Sequence, residues 1–406
     1  MAPLILFEDH RYRDFLPLAY WHSLMGLLCG RKMLMDHVTF VLRQPLSGLW
    51  MRSWIADVTA MRCQMPVNRP VEAGALLVNG RWLLDHAPEF RAAPYVGLCG
   101  GDVAYIACDA KLAAAVTPEV LLDPQSAARL AGDFPSGEVD AELAKHPWDL
   151  TAHNSNALRR QWTGDDRGST GNVSSSAFLM NPDQIHVGDR SRVRPTAVID
   201  AGGGPVYISN DVRIDVHTYI EGPVYIGPGS IVKPHASIRA GTSLGSMCRV
   251  EGEISASILL GYANKQHYGF LGDSYVGNWV NLGAGTSNSN LKNTYGPITA
   301  KMGSRALDTG RQFAGSIIGD FVRTGIGQLL PTGAVVGFGA MVATGGFCPK
   351  YVPSLAWMTA GDSSKTDMTK LRVVALRMMQ RRRTEMSAEE QMLFDRLPEL
   401  IEQCGV

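Results

Sequence analysis

The sequence predicts an α/β domain, then a parallel β-helix of six-residue repeats, then two terminal helices. Three observations carry this. Aliphatic residues recur at every sixth position through the middle of the chain, residues 1–183 hold strand and helix signals without that repeat, and after Pro353 the repeat gives way to helical spacing.

The chain has 406 residues, 45% of them hydrophobic, enough for two or three domains with real cores. Lys+Arg and Asp+Glu each total 38, a balance that predicts neither a nucleic-acid nor a membrane partner. Seven cysteines are scattered without a C-x-x-C pair, which argues against a disulfide framework and against a thiolate zinc site. No metal ligands are assigned, and a reducing cytoplasm is the expected location. The opening "MAPLILFEDHRYRDF" lacks a basic n-region, and "FLPLAYWHSLMGLLCG" is interrupted by His22 and too short to span a bilayer. The sequon at Asn172 is accordingly read as chance.

Residues 1–162 form the α/β domain. "LILFED" and "VAYIACD" read as strands, "LLVNG" with "RWLL" as a hairpin around Asn79-Gly80, and "PEVLLDPQSAARLAG" as a helix. Residues 163–184, rich in Gly, Ser, Thr and Asp, read as a linker.

Residues 185–360 carry the repeat. Val187, Val193 and Ile199 are followed, after an "AGGG" insertion, by Ile208, Ile214, Ile220, Ile226, Val232, Ile238, Leu244 and Val250. The series resumes at Val276 and Leu282, and again at Ile318, Thr324, Leu330, Val336 and Val342. Neither a helix nor a simple strand has period six. A short strand plus a sharp turn does: one side chain points into a prism-shaped core and small residues make the corner. The break at "YANKQHYGFLGD" reads as an excursion at a corner, where the backbone can leave the ladder with few orphaned groups. Residues 287–317 read as an extended arm, with Gln312 and Phe313 as its candidate contacts. Residues 361–406 read as two helices, the second opened by a Ser387/Glu390 capping box, and "QRRRTE" reads as a solvated helix end.

The hexads resemble those of the hexapeptide-repeat acyltransferases, which implies a left-handed coil and a homotrimer. More narrowly, "HYGFLGDSYVGNWVNLGAGTSNSNLKN" resembles the acetyltransferase half of the bifunctional N-acetylglucosamine-1-phosphate uridylyltransferase/glucosamine-1-phosphate acetyltransferase family. The likeness runs over about residues 185–350. It implies an acyl-CoA-dependent N-acetyltransferase, with acetyl-CoA as co-substrate, acting on a phosphorylated or nucleotide-linked amino sugar.

Acyl transfer to an amine needs a base that titrates near neutrality, and His267 matches the family's base. By the same resemblance Arg239 grips the sugar phosphate, and Asn281 and Asn290 hold the sugar. Phe270 stands where the family has tyrosine, and Ser255 where it has a phosphate-binding lysine, with Lys292 or Lys265 as replacement charge. Ala284, Gly325, Ala343 and Thr344 fall in the turns that line coenzyme A. His217 and His235 read as outward-facing; a β-helix carbonic anhydrase would need them with His267 around zinc, at a spacing they lack.

"LILFEDHRYRDFLPLAYWHSLMGLLCG" and "HPWDLTAHNSNALRRQW" resemble the N-terminal domain of a divergent group of sugar nucleotidyltransferases fused to this β-helix, although Leu28 replaces an arginine of that group. Arg11, Arg13 and Lys32 are the candidates to face phosphates, and Asp109 to hold Mg2+, which is expected only if this domain is an active nucleotidyltransferase. No glycine-rich loop follows the first strand. The contrasting reading is a trimeric sugar-nucleotide scaffold or sensor whose catalytic residues have decayed.

Overall fold

The computed structural model describes residues 2–405. The front domain is a six-stranded mixed sheet in the order Leu46–Trp50, Leu4–Phe7, Leu76–Asn79, Asp102–Ala107, Tyr95–Cys99, Ser136–Glu138. The first three strands are parallel, and Asp102–Ala107 runs against both of its neighbours. Both strands read from the sequence are therefore present, but the Asn79-Gly80 hairpin is not. The Asn79 amide is buried, donating to Asp9 Oδ2 at 2.9 Å and to the Val103 carbonyl at 2.8 Å, so the chain leaves the sheet there. The expected single helix is two, Pro118–Leu122 and Pro124–Asp133. Asp123 ends the first and caps the second, its carboxylate accepting from the Ser126 N–H at 2.8 Å.

The hexads build a three-sided column of stacked coils, a left-handed parallel β-helix. Its first face is a ten-stranded parallel sheet running from Gly168–Ser169 to Tyr351–Val352, and the other two faces each begin as six-stranded sheets. The repeating aliphatic residues are buried inside this prism from Val187 to Val342. Coils stack closely enough that a Cβ at Gly245, in the strand Thr242–Ser246, would lie 2.0 Å from the Leu260 carbonyl oxygen, so that position accepts only glycine.

Three sequence expectations are corrected. Much of the linker is the first coil, because Gly168–Ser169, Asn172–Val173 and Phe178–Met180 each pair with the next coil. Nor is the break in the hexads an excursion. Shortened corners bring the inward residues to Ile254 and Leu259, and then Lys265 and Leu271 continue the column in register with Val250 and Ile254. The pattern vanished from the sequence because a lysine occupies an aliphatic position. Finally, the arm carries a hairpin, Thr299–Met302 against Arg305–Asp308, with Ile298, Ala300 and Met302 buried rather than extended into solvent.

The parts are fastened to one another. Helix Pro147–Arg160 lies on the first face, where the Asn154 amide donates to the Gly241 carbonyl at 2.7 Å and to Ser243 Oγ at 2.9 Å. His22 meets Asp320 at 2.7 Å, and Arg305 reaches Asp14 at 3.1 Å. Trp21 of the front domain contacts Phe321 and Phe338 of the column and Phe394 of the last helix, with ring centroids 5.3 to 6.1 Å apart. The terminal helices are Met368–Gln380 and Ala388–Cys404, and the capping box is present: Glu390 N–H donates to Ser387 Oγ, and Ser387 N–H to Glu390 Oε2, both at 3.1 Å. No helix among the described residues is long and apolar enough to cross a membrane.

Candidate active site

The site grows from the edge between the second and third faces. His267 and Tyr268 turn the corner between the strands Asn264–Lys265 and Phe270–Gly272, and both side chains are exposed. The next corners stack beneath. Gly285 N–H donates to the Tyr268 carbonyl at 3.0 Å, Gly327 N–H to the Ala284 carbonyl at 2.7 Å, and Gly325 N–H to the Val342 carbonyl at 2.7 Å. His267, Ala284, Gly325, Ala343 and Thr344 thus follow one another along a single edge. Thr344 is held there by Gln328, whose Oε1 accepts its N–H at 3.0 Å. Tyr268, Ile326 and Phe347 stand out beside them, 69%, 81% and 68% exposed, so the edge carries exposed apolar side chains.

A second group occupies the third face. Arg239, its N–H on the Ile254 carbonyl, lies in register with Ser255, which pairs in turn with Gly272. Its guanidinium donates from Nε to Glu221 at 2.9 Å and lies over the Tyr219 ring. The charge expected for a sugar phosphate is therefore shared with a carboxylate. Phe270 starts the strand that ends at Gly272, and the Asn290 amide donates to Asp273 Oδ2 at 2.7 Å. Burial lifts the Asp273 carboxyl above its ordinary value, against the Asn290 hydrogen bond and the charge of Arg311. Asp273 was missed from the sequence, although the "LGD" that contains it was part of the resemblance. It shares a recess with Arg311, Gln312 and Phe313, the last two being the contacts expected from the arm.

The remaining candidates lie elsewhere. Asn281 is on the second face, bridged between Asn264 and Arg323. Lys292 Nζ donates to the Pro297 carbonyl within its own loop. Lys265 supplies no charge to a substrate: it is 2% exposed, and its Nζ donates to the Glu251 and His267 carbonyls at 2.9 and 3.0 Å. Burial pushes its ammonium down to about 8. His217 and His235 stack on each other at exposed corners, as expected, with ring centroids 5.1 Å apart.

In the front domain the phosphate candidates have other partners. Arg11 donates to Asp102 at 3.2 Å and to Asp14 at 3.3 Å, Arg13 to the Tyr12 hydroxyl at 3.2 Å, and the Lys32 ammonium lies over the Phe40 ring. Asp109 caps a helix, accepting from the Leu112 N–H at 2.8 Å. Among the described residues, Asp9, His10 and Asp102 alone form a cluster of metal-ligand spacing. Arg81, fully buried, lies between the two carboxylates, at 2.5 Å from Asp9 and 2.7 Å from Asp102. The guanidinium takes the position a cation would need, so these residues do not fit Mg2+. Burial alone would raise the Asp9 carboxyl, but Arg81 and Asn79 outweigh it and hold it below the usual range.

An α/β domain docked on a hexapeptide β-helix, with a histidine at the head of one edge, defines the class. Residues 4–165 match the family model described as sugar nucleotidyl transferase. The chain is 30% identical over 172 residues to the bifunctional protein GlmU of Acidithiobacillus ferrooxidans, covering 42% of this chain and 33% of that protein. It is 34% identical over 148 residues to the bifunctional sugar-1-phosphate nucleotidylyltransferase/acetyltransferase of Sulfurisphaera tokodaii, covering 35% and 36%. The UDP-N-acetylglucosamine acyltransferase structure of Francisella novicida aligns at a TM-score of 0.32 and 14% identity, over 58% of this chain and 75% of that one. The front domain thus resembles sugar nucleotidyl transferases, and the chain is similar over part of its length to bifunctional GlmU proteins. It spans about a third of the length of these two relatives.

Proposed function

We propose that the column is an acyl-CoA-dependent N-acyltransferase acting on a phosphorylated or nucleotide-linked amino sugar, with His267 as general base. The observation that carries this is the edge itself: an exposed imidazole heads a line of small-residue corners flanked by Tyr268, Ile326 and Phe347. Open corners suit a long thioester lying along the coils, and exposed apolar side chains suit burial by the thioester or by a second copy.

In this reading the imidazole takes the proton as the amine attacks the thioester carbonyl, and the thiolate departs as coenzyme A. Asn281 lies on the second face beneath Arg381 and Arg382, apart from Arg239, Phe270 and Asn290, so this reading leaves it out of the amino-sugar site. A homotrimer is the assembly in which a neighbour would complete the third-face group. The proposal places no phosphate chemistry on the Asp9–Asp102 cluster, whose carboxylates are neutralised by Arg81.

The test is release of free thiol from acetyl-CoA with glucosamine 1-phosphate and with UDP-linked amino sugars. Turnover that His267→Ala abolishes supports the assignment. No turnover with any amino sugar, alongside binding of a sugar nucleotide, supports the decayed sensor, for which the Arg239–Glu221 pair and Ser255 already speak.

A further inference from the structure

We propose that the recess between the second face of the column and the end of helix Met368–Gln380 binds a phosphoryl or diphosphoryl group. It does not depend on the acyl-transfer reading.

The recess is built from a ladder. Arg249 pairs with Asn264, Asn264 with Asn281, and Asn281 with Arg323, so four consecutive coils present Arg, Asn, Asn, Arg outward from one face. Arg381 and Arg382, just beyond the helix, close over it, and Arg382 donates to Asn264 Oδ1. The sequence suggested a solvated helix end here. Instead the two arginines turn onto the column and bring four guanidiniums around about 180 Å³ of space, room for a phosphate-sized anion.

Among the described residues, no carboxylate pairs with these guanidiniums. No Asp or Glu lines the recess, whereas neighbouring Arg213 and Arg372 each have an aspartate at 3.1 and 2.9 Å. Among the described residues, the Nε atoms of Arg249 and Arg323 and Nη1 of Arg382 are shielded from solvent yet lack a hydrogen-bond acceptor. Burial holds Arg249, Arg323 and Arg382 below the ordinary guanidinium range, and neighbouring arginines add to the effect. In a chain with equal numbers of acidic and basic residues, such a concentration of like charge is costly unless an anion completes it. Guanidinium forks and side-chain amides match phosphate oxygens in geometry and charge. The phosphate can be free or can belong to a larger molecule such as coenzyme A or a sugar phosphate.

The experiment compares full-length wild type with the double variant Arg323→Gln/Arg382→Gln in thermal-shift and calorimetric titrations. The probes are sodium pyrophosphate, coenzyme A and glucosamine 1-phosphate. Wild type is expected to melt higher as pyrophosphate is added. The variant is expected to melt no lower than wild type in anion-free buffer, and to bind about tenfold or more weakly. Tighter binding of coenzyme A or of the sugar phosphate than of pyrophosphate identifies the phosphate's source, and equal binding identifies the free anion. His267→Ala should bind pyrophosphate as wild type does even where acyl transfer is lost, which separates this proposal from that one. The proposal is overturned if none of the three probes shifts the wild type, if the variant binds them equally well, or if the variant melts lower without anion.

Discussion

The Tyr275 hydroxyl, on the first face of the column, accepts from the Leu28 N–H at 2.8 Å and donates to the Leu28 carbonyl at 3.1 Å. One phenol satisfies both backbone groups of a residue in the other domain, and all of these atoms are buried. Tyr275→Phe would leave both Leu28 groups without that partner. The expected loss is about 1–3 kcal/mol in urea unfolding at nearly unchanged denaturant slope.

Lys265 sets a pH dependence. Its folded value is about 8 against 10.5 for the free side chain, so between these values the unfolded chain keeps a proton that the folded chain has shed. The stability this group contributes therefore rises with pH through that window, and its penalty is complete below it. Relative to Lys265→Met, wild type should gain about 3 kcal/mol between pH 7 and pH 10.5. Parallel stability curves for the two proteins would refute the assignment.

Arg81 neutralises Asp9 and Asp102 in the front-domain core. Its replacement by methionine strips Asp9 of its arginine and leaves Asp102 with Arg11 as its only arginine partner, an expected cost of about 3–5 kcal/mol. The pH profile should also change sign. Asp9, held below 3.8 in wild type, contributes stability at neutral pH that is lost as the pH falls through its folded value. In Arg81→Met only the Asn79 hydrogen bond and His10 still oppose burial, so the carboxyl is expected to rise and this group's contribution to be lost as pH rises instead. Chemical denaturation between pH 3 and pH 7 distinguishes the two.

His267→Ala should lower kcat/KM for acetyl transfer by about 10²- to 10⁴-fold. The ring is exposed at a corner, so the melting temperature should hardly move. A variant as active as wild type would end its assignment as base.

The column was legible in the sequence because each coil spends one inward residue per six on a narrow apolar prism, and Val187 through Val250 obey that rule almost without exception. It became illegible where Lys265 took an aliphatic position and the corners before Ile258 shortened, because period-counting sees only residue type and spacing. His267, Ala284, Gly325, Ala343 and Thr344 were named from the family likeness and fall along one edge, whereas Tyr268, Ile326 and Phe347 beside them were not named. Asp273 and the four-arginine recess were not named either: the recess joins single residues from separate coils to the end of a helix, and no local window of sequence contains them together. The front-domain hairpin misled for a similar reason, since the Asn79 amide is claimed by Asp9, distant in sequence.

Trp21, seated among Phe321, Phe338 and Phe394, makes the molecule indivisible in practice. A protease that nicked the stretch near residue 170 would not release two soluble halves, because each would carry away half of the other's interior. Truncated genes encoding only the column should yield aggregates. Calorimetry of the whole chain should record one melting event.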